Sequence, residues 1–204
     1  MKEIEILNFK LDNLDEKVVS RKQLLNLICD VIQNKPEKYL KKLRENKKIK
    51  ALFNKYYYIL SENERKSGIL NYYSLELTYA VLNKSNIKWY ISFEKGLELN
   101  NVLWQAHKIT TIINNKFSKR LKVLDVEFKF IKTKSKYISN YSQNKTKNRI
   151  TQNIATNEKI YVDYIYFNKK IPIELADKID KKKVQQIAKA YPKYIQNKIL
   201  ENEK

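Results

Sequence analysis

The chain has 204 residues, 42 of them Lys or Arg against 22 Asp or Glu, a net charge of +20, and 43% hydrophobic residues spread along its length. That length and apolar content predict two globular domains rather than a disordered polymer, and the charge predicts a polyanionic partner, nucleic acid first. No apolar run approaches the roughly 20 residues of a membrane span and no signal-peptide pattern is visible, so the expectation is a soluble, cytoplasmic protein with no membrane partner.

Ser20 is a good cap for a helix carrying Leu24, Leu25, Leu27, Ile28, Val31 and Ile32 and ending near Asn34. Cys29 on that helix reads as a small core residue. Pro36 fits the first turn of a second helix running to about Asn46. There Tyr39, Leu40 and Leu43 share one sector and face the first helix. Lys38, Lys41 and Glu45 lie opposite, flanked by Lys42 and Arg44, a basic strip of the width a DNA major groove admits. Ile49–Phe53 and Tyr56–Leu60 are β-rich runs around a two-residue turn, Asn54–Lys55, and predict a hairpin, the wing. Residues 1–62 are thus expected to form a winged helix-turn-helix. Between Val31 and Leu60 eight Lys and one Arg face only Glu37 and Glu45, so the positive charge follows the proposed reading element.

The polar stretch Ser61–Gly68 reads as a linker, with a mixed α/β effector domain at 68–204. Ser74 caps a helix bearing Leu75, Leu77, Tyr79, Ala80, Val81 and Leu82. Lys88–Phe93 reads as a buried strand, with further strands at Thr110–Ile113 and Lys122–Lys132. Residues 132–153, rich in Lys, Ser, Thr, Asn and Gln, predict a long, basic, mobile loop. Helices follow at Ile160–Phe167, Ile173–Asp177 and Lys181–Leu200, the last interrupted near Pro192. The fold class is therefore α+β.

Little points to catalysis. Cys29 and His107 are the only Cys and His, so no thiolate zinc site or disulfide is expected; Gly68 and Gly96 are too few and too far apart for a phosphate-cradling loop. No cofactor, no metal and no enzyme activity are expected. The alternative is a metal-dependent nuclease: Asp125, Glu127 and Lys129 have the spacing to share one strand face, with Glu94 or Glu98 as the additional carboxylate. His107, without a nearby carboxylate in sequence, reads as packing or surface, and Trp89 and Trp104 as core.

For DNA, Lys38, Lys41 and Lys42 are the candidates for base edges. Arg21, Arg44, Lys48, Lys50, Asn54 and Lys55 complete the candidate DNA-binding set, with Arg21, Lys50 and Lys55 assigned to the phosphate backbone. A secondary basic surface is expected from Lys116, Lys119, Arg120, Lys132, Lys134, Lys136, Lys145, Lys147 and Arg149, in a zone holding nine Lys and two Arg against Asp125 and Glu127. That zone could extend the phosphate contacts, bind RNA, or dock an acidic protein.

The order of these elements resembles the AbiEi family of antitoxins, over most of the chain. The resemblance is carried by the helix-turn-helix with Leu52-Phe53-Asn54-Lys55-Tyr56-Tyr57-Tyr58-Ile59 as wing, and by Tyr72-Tyr73-Ser74-Leu75-Glu76-Leu77-Thr78-Tyr79-Ala80 opening the second domain. Ile160-Tyr161-Val162-Asp163-Tyr164-Ile165-Tyr166-Phe167 and the helices ending near Tyr191-Pro192 add to it. The wing departs from the family pattern in lacking glycine, and the 132–153 segment is unusually polar. The resemblance implies an autorepressor that binds the operator of its own operon as double-stranded DNA. It also implies an antitoxin that counteracts a nucleotidyltransferase-like toxin, directly or indirectly. A palindromic operator would call for a homodimer on DNA. The runner-up is a transcription regulator with no toxin partner.

Overall fold

A computed structural model describes residues 3–32 and 35–202. The chain divides into two compact units, Met1–Val81 and Leu82–Lys204.

Unit 1 runs α1 (Glu3–Asp12), β1 (Val18–Ser20), α2 (Arg21–Cys29), α3 (Pro36–Glu45), β2 (Ile49–Ala51), β3 (Tyr56–Ile59), α4 (Glu62–Ser67) and α5 (Ser74–Lys84), within which the division falls. The strands form an antiparallel sheet in the order β1-β3-β2, with Val18 opposite Tyr58 and Ile49 opposite Ile59. Leu7 and Leu11 of α1 join Val19, Leu24, Ile28, Leu40, Leu43 and Ile59 in one core. Each such side chain, fully buried, contributes about 1.5–3 kcal/mol.

Ser20 caps α2 as expected, in a capping box: its Oγ accepts from the Gln23 N–H, and Gln23 Oε1 accepts from the Ser20 N–H. The helix ends at Cys29, capped by Asp30, well before the expected stop; Asn34 lies outside the described residues. Cys29 is exposed rather than core, because Leu24 and Ile28 define the buried stripe and the next position turns away from it. Pro36 opens α3.

The segment Ser61–Gly68 is not a linker. Ser61 and Glu64 form a second capping box around α4, and Gly68, at φ 72°, closes the helix in the left-handed region that favours glycine. Buried Glu64 accepts hydrogen bonds from the Tyr58 hydroxyl, the Asn71 N–H (2.7 Å) and both donors of Ser61 (2.8 Å each).

Unit 2 continues with β4 (Trp89–Ile91), α6 (Phe93–Leu99), β5 (Ile109–Asn114), β6 (Lys119–Val123), β7 (Val126–Lys132), a 3₁₀ turn at Ser135–Tyr137, β8 (Tyr141–Lys145), β9 (Thr151–Ala155), α7 (Asn157–Tyr166), α8 (Ile173–Ala176), α9 (Lys181–Ala188) and α10 (Lys193–Asn202). The six strands make one mixed sheet, β6-β7-β5-β4-β9-β8, parallel at β5/β7 and β4/β9 and antiparallel elsewhere. α6 packs on β5 and β9 and touches α7, which in turn packs on α9 and α10. Both units are thus mixtures of helix and strand, the class expected.

Two expectations for this unit are corrected. The strand foreseen at 122–132 is a hairpin, because Leu124 and Asp125 form its turn, with Leu124 in the left-handed region. The basic loop at 132–153 is ordered: Tyr137 and Ile138 are buried, and β8 adds to the sheet edge with Tyr141 opposite Ala155. An edge strand with one wet face can be built from Lys, Asn, Gln and Thr, since its pairing is made by backbone groups.

Candidate nucleic-acid interface

In α3, Leu40 and Leu43 are buried, and Lys38, Lys41, Lys42 and Arg44 are exposed. Lys41 pairs with Glu45 at 3.7 Å, and the Lys42 ammonium lies 5.3 Å from the centre of the Tyr39 ring. Both contacts are at the surface and weak enough to be exchanged for a phosphate. The positive end groups therefore stand on the side of α3 away from the core.

The β2–β3 connection closes through Phe53, Asn54 and Lys55, because Ala51 lies opposite Tyr57 and brings Leu52 opposite Tyr56. It is one residue longer than expected. Asn54 and Lys55 both take positive φ, 54° and 61°, so an asparagine, the non-glycine residue most tolerant of that region, stands where such turns commonly hold glycine. The Lys55 carbonyl accepts from the Arg21 N–H at 2.7 Å, tying the hairpin tip to the start of α2. Ser20, Arg21, Lys22, Asn54 and Lys55 line one shallow groove there. Lys50 is exposed on β2; Arg21 is engaged with Glu37 of α3.

Lys48 does not belong to this set. Its side chain is 3% exposed, and its ammonium donates to both carboxylate oxygens of Asp12 at 2.6 and 2.7 Å. It ties β2 to the end of α1, and sequence spacing gives no hint of a partner so far upstream.

Every residue of the expected secondary basic surface is exposed, but they do not form one surface. Lys119 pairs with Phe130 and Arg120 with Lys129, so these neighbours point to opposite faces of the sheet. Lys145 lies on β8, at the other edge of the six-stranded sheet from β6. At ~4.8 Å per strand the two edges are on the order of 24 Å apart.

Of the nuclease set, Asp125 lies off the strand in the β6–β7 turn, whereas Glu127 and Lys129 alternate onto one face of β7, Glu127 4.0 Å from Arg120 and Lys129 lining one cleft with Glu94; no group of three His, Cys, Asp or Glu among the described residues could hold a metal ion. His107 does meet a carboxylate: Glu98 Oε2 accepts from its backbone N–H at 3.0 Å and lies 3.7 Å from Nδ1. Trp89 is core, but Trp104 is 88% exposed.

The most deeply buried charges went unforeseen. Lys159 and Asp163 form an ion pair in the core of unit 2; Lys159 Nζ also donates to the hydroxyls of Tyr90 (2.7 Å) and Tyr191 (2.8 Å), and Ser92 Oγ donates to Asp163 (2.8 Å). Burial pushes the Lys159 ammonium down and the Asp163 carboxyl up, each restrained by the other's charge.

Among the described residues no helix is long and apolar enough to cross a membrane. No family model and no curated protein matches the chain. Among solved structures, the RV2827C protein from Mycobacterium tuberculosis is similar, with a TM-score of 0.64 over 98% of this chain and 76% of that one, at 10% sequence identity. At that identity the similarity is one of fold.

Proposed function

We propose that unit 1 is a winged helix-turn-helix that binds double-stranded DNA, and that the protein is the sequence-specific repressor of its own operon. The observation that carries this reading is the division of α3, with Leu40 and Leu43 turned to the core and Lys38, Lys41, Lys42 and Arg44 to solvent. Such a helix can enter the major groove at its basic face while its apolar face holds it on α2. The β2–β3 hairpin, tied at its tip to α2, is the wing and brings Lys50 and Lys55 to the flanking phosphates. The antitoxin role, against a nucleotidyltransferase-like toxin, rests on the resemblance in sequence pattern and belongs to the protein as a whole.

The test is a salt-dependent binding titration with the DNA upstream of the reading frame and scrambled duplex as competitor. We expect a preference of about a hundredfold or more for the upstream DNA, lost in Lys38→Ala/Lys41→Ala/Lys42→Ala. Equal affinity for scrambled duplex would reduce the protein to a general polyanion binder and end the repressor reading.

A further inference from the structure

In unit 2, the pairing of β5, β7 and β6 sets Thr111, Lys129 and Arg120 in one row across three strands. Directly opposed residues point to the same face, so this row forms a floor. A cleft of about 340 Å³ opens over it, and Glu94 of α6, Lys108 before β5 and Lys169 after α7 are among its walls. Lys169 is placed there by the end of α7. Asn168 takes the left-handed conformation, the Lys169 N–H donates to the Tyr164 carbonyl (2.8 Å), and the Lys169 ammonium lies 3.7 Å from the centre of the buried Phe93 ring.

Four cations and one carboxylate thus converge on a single cleft. Among the described residues no carboxylate forms an ion pair with Lys108, Lys129 or Lys169, and Arg120 reaches only Glu127, at 4.0 Å. Burial lowers the Lys169 ammonium below its ordinary value; Glu94 opposes this and outweighs the added repulsion from Lys129 without cancelling the burial. A partly buried ammonium with no ion-pair partner of its own is stabilised by an incoming anion.

From this arrangement we propose that the cleft binds the phosphate group of a small hydroxyl- or amine-bearing phosphomonoester, of the nucleoside monophosphate class. Arg120, Lys129 and Lys169 take the phosphate, the guanidinium offering paired donors to its oxygens. Glu94, whose Oε1 accepts from the Tyr164 hydroxyl at 3.2 Å, keeps acceptor capacity for a ligand hydroxyl or amine. A nucleic-acid backbone fits less well: it calls for cations spread along a track, whereas here the cations gather on one cleft.

Isothermal titration calorimetry on the full chain, with adenosine monophosphate, inorganic phosphate and a short DNA duplex as probes, tests this. We expect saturable binding of adenosine monophosphate, competed by inorganic phosphate and weakened about tenfold or more by Lys129→Met and by the exposed-site variant Arg120→Gln. Lys182→Met, on the exposed side of α9, should leave it unchanged. Glu94→Gln should weaken adenosine monophosphate while leaving inorganic phosphate as tight or tighter. Circular dichroism of each variant separates loss of the site from loss of the fold. Absence of saturable binding by either small probe would overturn the proposal. So would equal loss in Lys182→Met, or duplex DNA as the sole probe whose binding depends on Lys129.

Discussion

Lys159 and Asp163 stand one helical turn apart on α7 with their charges joined and neither exposed to solvent, at 0% and 1%. Two tyrosine hydroxyls and a serine complete the hydrogen bonding, and the Lys159 ammonium lies 4.8 and 5.4 Å from the ring centres of Tyr90 and Tyr191. The pair thus joins α7 to β4 and to the turn before α10, so its value lies in specifying which elements meet. A buried pair costs nearly as much to desolvate as it returns, but half of one is worse than none.

Lys159→Met is therefore expected to destabilise unit 2 by about 3–5 kcal/mol, because it strands the Asp163 charge. Adding Asp163→Leu should restore much of that loss. Urea unfolding followed by Trp89 fluorescence reads both, and a double variant no more stable than the single would show that the cost is packing rather than charge.

What the sequence reveals of this fold is what local chemistry dictates. Ser20, Pro36 and Pro192 each mark a helix boundary within a few residues of themselves, and α2, α3, α9 and α10 are legible for that reason. What is missed depends on distant partners. α1 offers Leu7 and Leu11 to a core that exists only once α2 and β3 are in place. Lys48 looks like its exposed neighbours until Asp12 meets it, and the cleft of unit 2 draws Glu94, Lys108, Arg120, Lys129 and Lys169 from separate elements.

Glu64 gives unit 1 a pH dependence. Burial raises its pKa, but the hydrogen bonds from Tyr58, Asn71 and Ser61 outweigh burial and hold it below the ordinary carboxylate value. The unfolded chain therefore takes up the proton first as pH falls. The stability Glu64 provides is complete above the ordinary carboxylate range and is lost as pH drops through it towards the folded value. The urea midpoint of unit 1, read by tyrosine circular dichroism, should fall more steeply on acidification in the wild type than in Glu64→Gln. Parallel falls would assign the acid sensitivity elsewhere.

Gly96 is required by close approach rather than by its backbone angles. A Cβ there would lie 2.9 Å from Ile160 Cδ1 and 3.3 Å from the Ile91 carbonyl oxygen, so Ile160 would have to move its end methyl and α6 to draw back from that carbonyl by a few tenths of an ångström. Gly96→Ala should cost about 1–2 kcal/mol even after the roughly 1 kcal/mol that alanine gains over glycine within a helix. Ile160→Val removes the nearer clash, so the double variant should lose less stability than the sum of the singles. Strict additivity would mean that the carbonyl, not Ile160, sets the limit.

Lys48 and Lys41 separate a structural lysine from one proposed to meet DNA. Lys48 is enclosed and already paired with Asp12, whereas the Lys41 side chain is 79% exposed and held by one long contact. Lys41→Ala should leave the thermal midpoint nearly unchanged and reduce both the preference for the upstream DNA and the slope of log affinity against log salt, the latter by up to about 0.9 for one charge lost beside the phosphates. Lys48→Met should do the reverse: the salt slope stays, and the thermal midpoint falls as the link between α1 and β2 is lost, modestly because Asp12 is half exposed and can be solvated again. A Lys48 variant that lowered the salt slope without changing stability would mean that the ion pair opens on DNA, and would return Lys48 to the binding face.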